Sequence, residues 1–226
     1  MRGTFLRPCL PTSGKVVPAT PDWLHELKYD GYRLIVAREG NRVRLITRGG
    51  HDWASRFPRI VETALKNRHK QFVIDGEAVL LGIDGISDFN DLHSGKHNDE
   101  VQLYAFDVLA LDGEDLRGLP LLMRKTKLAR LLRGRPDGIF VAPFERGEIG
   151  PDLFRAACTM GLEGVVSKRA DRPLYVADCS ANKQILPSSE ENGEPLSSLW
   201  PMSLCGRLGP VFQAPLFRLN GILGRA

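Results

Sequence analysis

Trp23-Leu24-His25-Glu26-Leu27-Lys28-Tyr29-Asp30-Gly31-Tyr32-Arg33 is the stretch from which the rest of the chain is read. A lysine stands between apolar neighbours, and an acid, a glycine and an arginine follow it. Leu27, Tyr29, Tyr32, Leu34, Ile35 and Val36 are strand-type residues. The pattern predicts a strand, a tight turn at Asp30-Gly31 and a second strand. At such a hairpin edge Lys28 is partly desolvated and close to a guanidinium. Both effects lower an amine's pKa from about 10.4 and raise its neutral, nucleophilic fraction. A lone Lys-x-Asp-Gly also recurs by chance in ordinary hairpins with an exposed lysine, so its weight depends on what accompanies it.

Downstream, Leu34 to Ala37, a turn at Glu39-Gly40-Asn41, and Val43 to Ile46 read as a β-hairpin closed by the loop Arg48-Gly49-Gly50. Phe57, Ile60, Val61, Ala64 and Leu65 have helical spacing, and the run ends in basic residues, as a helix C-terminus prefers. Phe72 to Leu81 is a strand interrupted by Gly76 and carrying Glu77; Leu103 to Leu109 is another, carrying Asp107. A carboxylate inside an apolar run costs several kcal/mol unless it is paired, hydrogen-bonded or metal-bound. Residues 85–98 form a polar loop with one short helical piece, and Asp112-Gly113 gives a turn. Leu119 to Leu132 is an amphipathic helix with a basic face of Arg124, Lys125, Lys127 and Arg130. A short strand at Ile139 to Ala142 and a helix from Gly150 to about Met160 follow. Gly161 to Arg169 is a third apolar strand, with Glu163 at its start and Lys168 at its end.

Composition sets the limits. The 226 residues are 42% hydrophobic and 26% charged, ordinary for a globular protein with a sizeable core. The net charge of +4 is compatible with a polyanionic partner without requiring one. No apolar run is long enough to span a bilayer, and Pro8 and Pro11 interrupt any signal-type segment. Cys9, Cys158, Cys179 and Cys205 lack metal-type spacing and read as reduced thiols of a cytosolic protein. Residues 1–20 read as an extended lead-in. Residues 176–226, with few charges, many Pro, Ser and Gly and no sustained periodicity, read as an irregular tail without a second domain.

Singly, each candidate has a bland reading: Glu77 or Glu163 as a strand-edge ion pair, Phe106 as core, Arg48 as surface. Together, on neighbouring strands of one antiparallel sheet, they predict a polar cleft with a nucleophile, carboxylate oxygens and phosphate-binding cations.

The ordered set resembles the adenylation (nucleotidyltransferase) domain of ATP-dependent DNA ligases, most closely the ligase module of bacterial non-homologous end joining. The matching segments are Glu26 to Arg33, Thr47-Arg48-Gly49-Gly50, Asp75-Gly76-Glu77, Tyr104 to Val108, and Glu163 to Lys168. Five motifs in order over roughly Pro21 to Arg172 are specific where each alone is weak. The resemblance implies an α+β fold of antiparallel sheets flanked by helices, of the DNA ligase and mRNA capping enzyme type, with residues 21–175 as the domain. It implies ATP and Mg²⁺ as cofactors. Lys28 would form the lysyl-AMP; Arg33 and Arg48 would bind phosphate or ribose oxygens. Glu77 would meet the ribose hydroxyls or a metal, Phe106 would stack on adenine, and Glu26 would lie beside it. Glu163 would place the divalent cation and Lys168 would face the α-phosphate. Nicked or broken double-stranded DNA, a Ku-type end-binding partner, a monomeric state and a bacterial cytoplasmic location are carried by the same resemblance.

The chain departs from the family after about Tyr175. No Trp-led Lys-x-Lys motif follows, Lys183 lacks a flanking apolar strand in the sequence, and no oligonucleotide-binding (OB) domain is recognisable. This implies weak self-adenylation and little nick sealing. Three alternatives accompany the leading reading: an RNA ligase or guanylyltransferase, an inactive remnant that binds ATP or DNA without chemistry, and a plain basic DNA-binding module.

Overall fold

Two β-sheets organise the chain, and the step from one to the other is the Lys28 stretch itself. The computed structural model describes residues 8–83, 85–134 and 137–174, and the backbone of 183–187. In chain order the elements are β1 (Thr12–Ser13), β2 (Trp23–Leu27), β3 (Tyr32–Glu39), β4 (Arg42–Thr47), α1 (Pro58–Lys66), β5 (Gln71–Val79), α2 (Phe89–Ser94) and β6 (Gln102–Leu111). Then come β7 (Glu114–Asp115), α3 (Leu121–Leu131), β8 (Ile139–Val141), β9 (Glu145–Arg146), α4 (Gly150–Thr159), β10 (Gly164–Arg169) and β11 (Lys183–Pro187). Among the described residues the sheets run β1-β11-β10-β2-β9 and β4-β3-β5-β6-β7, with β8 parallel to β6. The pairing is otherwise antiparallel except for β1 on β11, so the class is α+β as expected.

The sequence-predicted hairpin around Asp30-Gly31 does not form. β2 pairs with β10 and β9, whereas β3 pairs with β4 and β5. Residues 28–31 are therefore a crossing between sheets. The crossing is tight: a Cβ on Gly31 would stand 2.3 Å from the Ala78 carbonyl oxygen. A second glycine permits close approach within the six-stranded sheet, where a Cβ on Gly76 would meet the Tyr104 oxygen at 2.8 Å beside a register shift. For the same topological reason the acids do not share one sheet. Glu77 and Asp107 belong to β5 and β6, whereas Glu163 immediately precedes β10 of the other sheet.

The two other predicted turns between strands hold. Gly40 (φ 62°) links β3 to β4, and Asp112-Gly113, both with positive φ, turn β6 into β7, the left-handed pair a two-residue hairpin needs. α1 begins with proline at its first turn, buries Ile60 and Ala64, and ends on Lys66. The main core lies where α1 and α3 cover the six-stranded sheet, with Leu34, Phe57, Ile60, Phe72, Ile74 and Leu128 essentially inaccessible. Each such side chain contributes roughly 1.5–3 kcal/mol of hydrophobic stabilisation.

Three expectations need correction or completion. The basic face of α3 is only partly solvated, because Arg124 and Lys125 are each 2% exposed. Their positions sit in the stripe Leu121, Arg124, Lys125, Leu128, and carboxylates drawn from the sheets neutralise them. The lead-in and the tail are not wholly irregular: Thr12 and Ser13 pair with Gln184 and Ile185, and β11 lies antiparallel on β10 with Lys183 opposite Lys168. Lys183 thus does have a strand around it. The rest of the tail, and the region concerned in the expectation of a missing OB domain, fall outside the described residues. Cys9 is buried and disulfide-bonded, so the reading of four reduced thiols fails for it. Cys158 is free. Among the described residues no helix is long and apolar enough to cross a membrane.

Candidate active site

Period-2 alternation on β2 and β10 sorts two sets of polar groups onto opposite faces. The register pairs Glu26 with Val166, His25 with Ser167 and Leu24 with Lys168. His25 and Ser167 meet on one face, Nδ1 to Oγ at 2.9 Å, and His25 Nε2 lies 2.9 Å from the Gly147 carbonyl oxygen. Both hydrogen bonds are satisfied by a neutral imidazole whose Nε2–H donates to Gly147 and whose Nδ1 accepts from Ser167. Burial lowers the His25 pKa, against the pull of the Gly147 carbonyl. Glu26 and Lys168 project from the other face, diagonal neighbours on adjacent strands, and form an ion pair.

Lys125 comes up from α3 to the other Glu26 oxygen. Burial pushes the Glu26 carboxyl up, but the Lys125 and Lys168 ammonium groups outweigh it and hold the pKa at about 2. Lys168 Nζ stands 4.3 Å from the centre of the Phe106 ring, and the Arg33 guanidinium carbon 5.1 Å from it. Two cations thus flank one aromatic ring.

Arg33 is the register partner of Glu77 and grips Asp75 with two hydrogen bonds, Nε to Oδ1 at 2.9 Å and Nη2 to Oδ2 at 2.7 Å. Its Nη1 donates to the Cys9 carbonyl at 2.7 Å, which ties the N-terminal segment to the site. The guanidinium read as a phosphate ligand is therefore engaged within the protein. Burial, offset only in part by Arg33, pushes the Glu77 carboxyl up to about 8.

Lys28 is held by its backbone N–H, which donates to the Gly164 carbonyl at 2.9 Å one step beyond β2. That bond brings its side chain beside Glu163, with which it pairs. Burial lowers the Lys28 pKa while Glu77 and Asp30 raise it. Desolvation acts as expected from sequence; the charges opposing it come from acids.

These groups converge. Glu26, Lys28, Arg33, Glu77, Phe106, Glu163 and Lys168 all line one cavity of about 270 Å³. Seven of the eight residues named from the sequence meet there. Arg48 does not: it is exposed in the turn after β4 and is not among the residues lining the cavity. A larger hollow of about 520 Å³ over the far end of the six-stranded sheet is lined by Arg42, Glu39, Asp115 and other residues of mixed charge, and by none of the eight.

Sequence reasoning missed several contributors. Leu10 and Pro11 form part of the cavity wall, although they lie in the supposed lead-in. Asp75, only 1% exposed, is the Arg33 partner; its place two residues before Glu77 on one strand face was the available signal. Lys125 was hidden among solvated-looking lysines, and its place in the Leu121–Leu128 stripe was the clue. As for a metal, among the described residues no three of His, Cys, Asp or Glu cluster as a cage. Glu163, partly exposed at the cavity, suits a cation shared with substrate phosphates. Glu77 lines the same cavity, and burial pushes its carboxyl up to about 8 in the absence of a cation.

Comparison with known proteins agrees with this geometry. The family model of the ATP dependent DNA ligase domain matches residues 13–182. The multifunctional non-homologous end joining protein LigD of Pseudomonas aeruginosa is 37% identical over 155 residues, covering 67% of this chain and 18% of that protein. The SPbeta prophage-derived DNA ligase-like protein LigB of Bacillus subtilis is 31% identical over 182 residues, 79% of this chain and 66% of that protein. Among solved structures, a mycobacterial DNA ligase D complexed with ATP and MES superposes with a TM-score of 0.70 at 30% identity, covering 80% of this chain and 60% of that one. The Chlorella virus DNA ligase-adenylate shares the fold at a TM-score of 0.55 and 16% identity. The chain thus spans less than a fifth of the Pseudomonas relative's length. On a match covering most of its described residues, the chain belongs to the ATP-dependent DNA ligase domain family.

Proposed function

We propose that the chain is an adenylation module that transfers AMP from ATP onto Lys28 and from there to a DNA 5′-phosphate. The observation that carries this is the convergence of seven sequence-named residues on one cavity with Lys28 at the sheet-to-sheet crossing. The neutral Lys28 amine attacks the α-phosphorus. A P–N bond forms, the bond to the bridging oxygen of the β-phosphate breaks, pyrophosphate leaves, and the amine's proton passes to solvent. Burial favours the neutral amine, and Glu163 holds the ammonium until ATP arrives.

Phe106 offers an apolar face to adenine. Glu77, protonated at neutral pH, can donate to a ribose hydroxyl oxygen. Lys168 supplies positive charge to the phosphates. Arg33 acts through Asp75 and Phe106, fixing the wall of the cavity. Glu163 together with phosphate oxygens would hold Mg²⁺, which neutralises charge on the transferring phosphate when bound. Arg48, exposed outside the cleft, is open to a phosphate of the DNA.

Nicked or broken double-stranded DNA as substrate belongs to the same reading, and similarity to a protein named for non-homologous end joining supports it; a Ku-type partner and a monomeric cytoplasmic state are carried by the family resemblance alone. The RNA ligase and guanylyltransferase alternatives are disfavoured by the family match. Incubation with α-labelled ATP or GTP and Mg²⁺ tests the proposal. Covalent label from ATP, absent in Lys28→Ala, is expected. Nucleotide-induced thermal stabilisation without any covalent label would support the inactive-remnant alternative instead.

A further inference from the structure

We propose that Lys125 is a positioning residue for the nucleotide's phosphates, acting through Glu26: by neutralising that carboxylate it leaves the Lys168 ammonium as a surplus positive charge facing the cleft. This rests on the reading of the cleft as an ATP site.

The charge count is made among buried groups. Lys125, Glu26 and Lys168 are each no more than 4% exposed. Two ammonium groups share one carboxylate, so the cluster carries one cation too many. Neighbouring carboxylates cannot supply the balance. Asp107 is held by Arg124 through Nε at 2.8 Å and Nη2 at 3.0 Å, and Asp75 by Arg33. Among the described residues, neither Lys125 Nζ nor Glu26 Oε1 has a hydrogen-bond partner beyond their mutual ion pair. A buried charge without a counter-ion is costly, and the site lowers that cost in part by setting Lys168 over Phe106 and Lys125 over Phe144, at 4.3 and 4.9 Å from the ring centres.

The surplus has a direction. Lys168 and Glu26 line the cavity, and Lys125 does not. Lys125 therefore stands behind Glu26, out of contact with a ligand, and Lys168 is the face of the cluster that a ligand meets. Burial lowers the Lys168 pKa, Glu26 raises it, and Lys125 lowers it again, as for a cation short of counter-charge. An anionic ligand supplies what is missing; a neutral nucleoside in the same cavity does not. The cluster thus discriminates phosphorylated nucleotide from nucleoside before any chemistry occurs. It does so through a residue that touches neither.

The test compares ATP and adenosine binding by calorimetry in the wild-type chain, Lys125→Met, Lys125→Arg and the double variant Glu26→Gln/Lys125→Met. Lys125→Met leaves Glu26 and Lys168 as a neutral pair. ATP affinity should fall about tenfold, with a weaker dependence on salt, and adenosine affinity should stay within about twofold. Lys125→Arg keeps the charge and should keep the preference for ATP. The double variant restores one surplus cation and should recover most of that preference; Lys125→Gln, neutral but able to donate to Glu26, carries the same test should Lys125→Met fail to fold. Equal weakening of ATP and adenosine would show that Lys125 merely supports the fold and would overturn the proposal, as would unchanged ATP binding or no recovery in the double variant. Failure of the wild-type chain to bind ATP at all would overturn the reading of the cleft, and this proposal with it.

Discussion

Replacing Arg124 by Met is the perturbation that best separates the observed packing of α3 from the solvated basic helix its sequence suggests. Arg124 is 2% exposed and donates from Nε and Nη2 to Asp107, itself 2% exposed. Methionine keeps an apolar stem but removes the guanidinium. Asp107 is then left buried, its Oδ1 accepting, among the described residues, only the Val108 backbone N–H at 2.9 Å. Breaking a buried pair from one side costs about 3–5 kcal/mol, because a carboxylate stays desolvated without its counter-ion. For a chain of this size that corresponds to a Tm lower by roughly 6–20 °C. A solvated arginine would cost about 0–1 kcal/mol. Removing both charges, in Asp107→Leu/Arg124→Met, should return most of the loss, since a buried ion pair replaced by apolar groups of similar volume is near neutral. Urea and thermal denaturation of the wild type, both single variants and the double variant close the cycle. A loss below about 1 kcal/mol for Arg124→Met, or simple additivity in the double variant, would refute the reasoning.

Glu77 gives a pH signature. Its folded pKa of about 8 lies above the ordinary 4.5, so the folded state binds the extra proton between those values. Stability should fall as pH rises from about 4.5 to about 8, by at most about 5 kcal/mol at 1.36 kcal/mol per unit; Glu77→Gln should flatten that slope, read from urea midpoints across pH. Gly76→Ala should destabilise by about 1–3 kcal/mol, since its Cβ would meet the Tyr104 oxygen at 2.8 Å; a thermal midpoint equal to wild type would show that the strands can part without cost. Glu163→Gln removes the group that pairs with Lys28 and suits the cation. It should leave ATP binding within about threefold while slowing adenylation by on the order of tenfold or more, measured as binding against single-turnover rate; equal losses in both would count against its role.

Much of this was legible in the chain because it was local. The hairpin turn at Gly40, the Asp112-Gly113 turn and α1 follow from spacing and turn residues alone. The site residues were legible partly because acids such as Glu77 interrupt an apolar run at a cost that only pairing or function offsets, and mainly because five motifs in order resemble one family. What was not legible is non-local. Lys28 and Tyr32 look like two arms of one hairpin, yet the strands on either side join different sheets, a choice made by β10 and β5, which are distant in sequence. Lys125 and Arg124 look like surface charge until Glu26 and Asp107 arrive from other elements. Arg33 could be recognised as a site residue, but its occupation by Asp75 and the Cys9 carbonyl depends on a segment whose own sequence carries no pattern. Arg48 shows the converse: its motif was recognisable, yet the turn after β4 leaves it exposed outside the cavity.

The central claim is that one desolvated amine, Lys28, takes the nucleotide onto itself. Peptide-mapping mass spectrometry of the chain after ATP and Mg²⁺ reads this directly. The account expects one added AMP on the peptide bearing Lys28 and none elsewhere. AMP found on Lys168, Lys125 or any other residue, or bound ATP with no adduct at all, would contradict it.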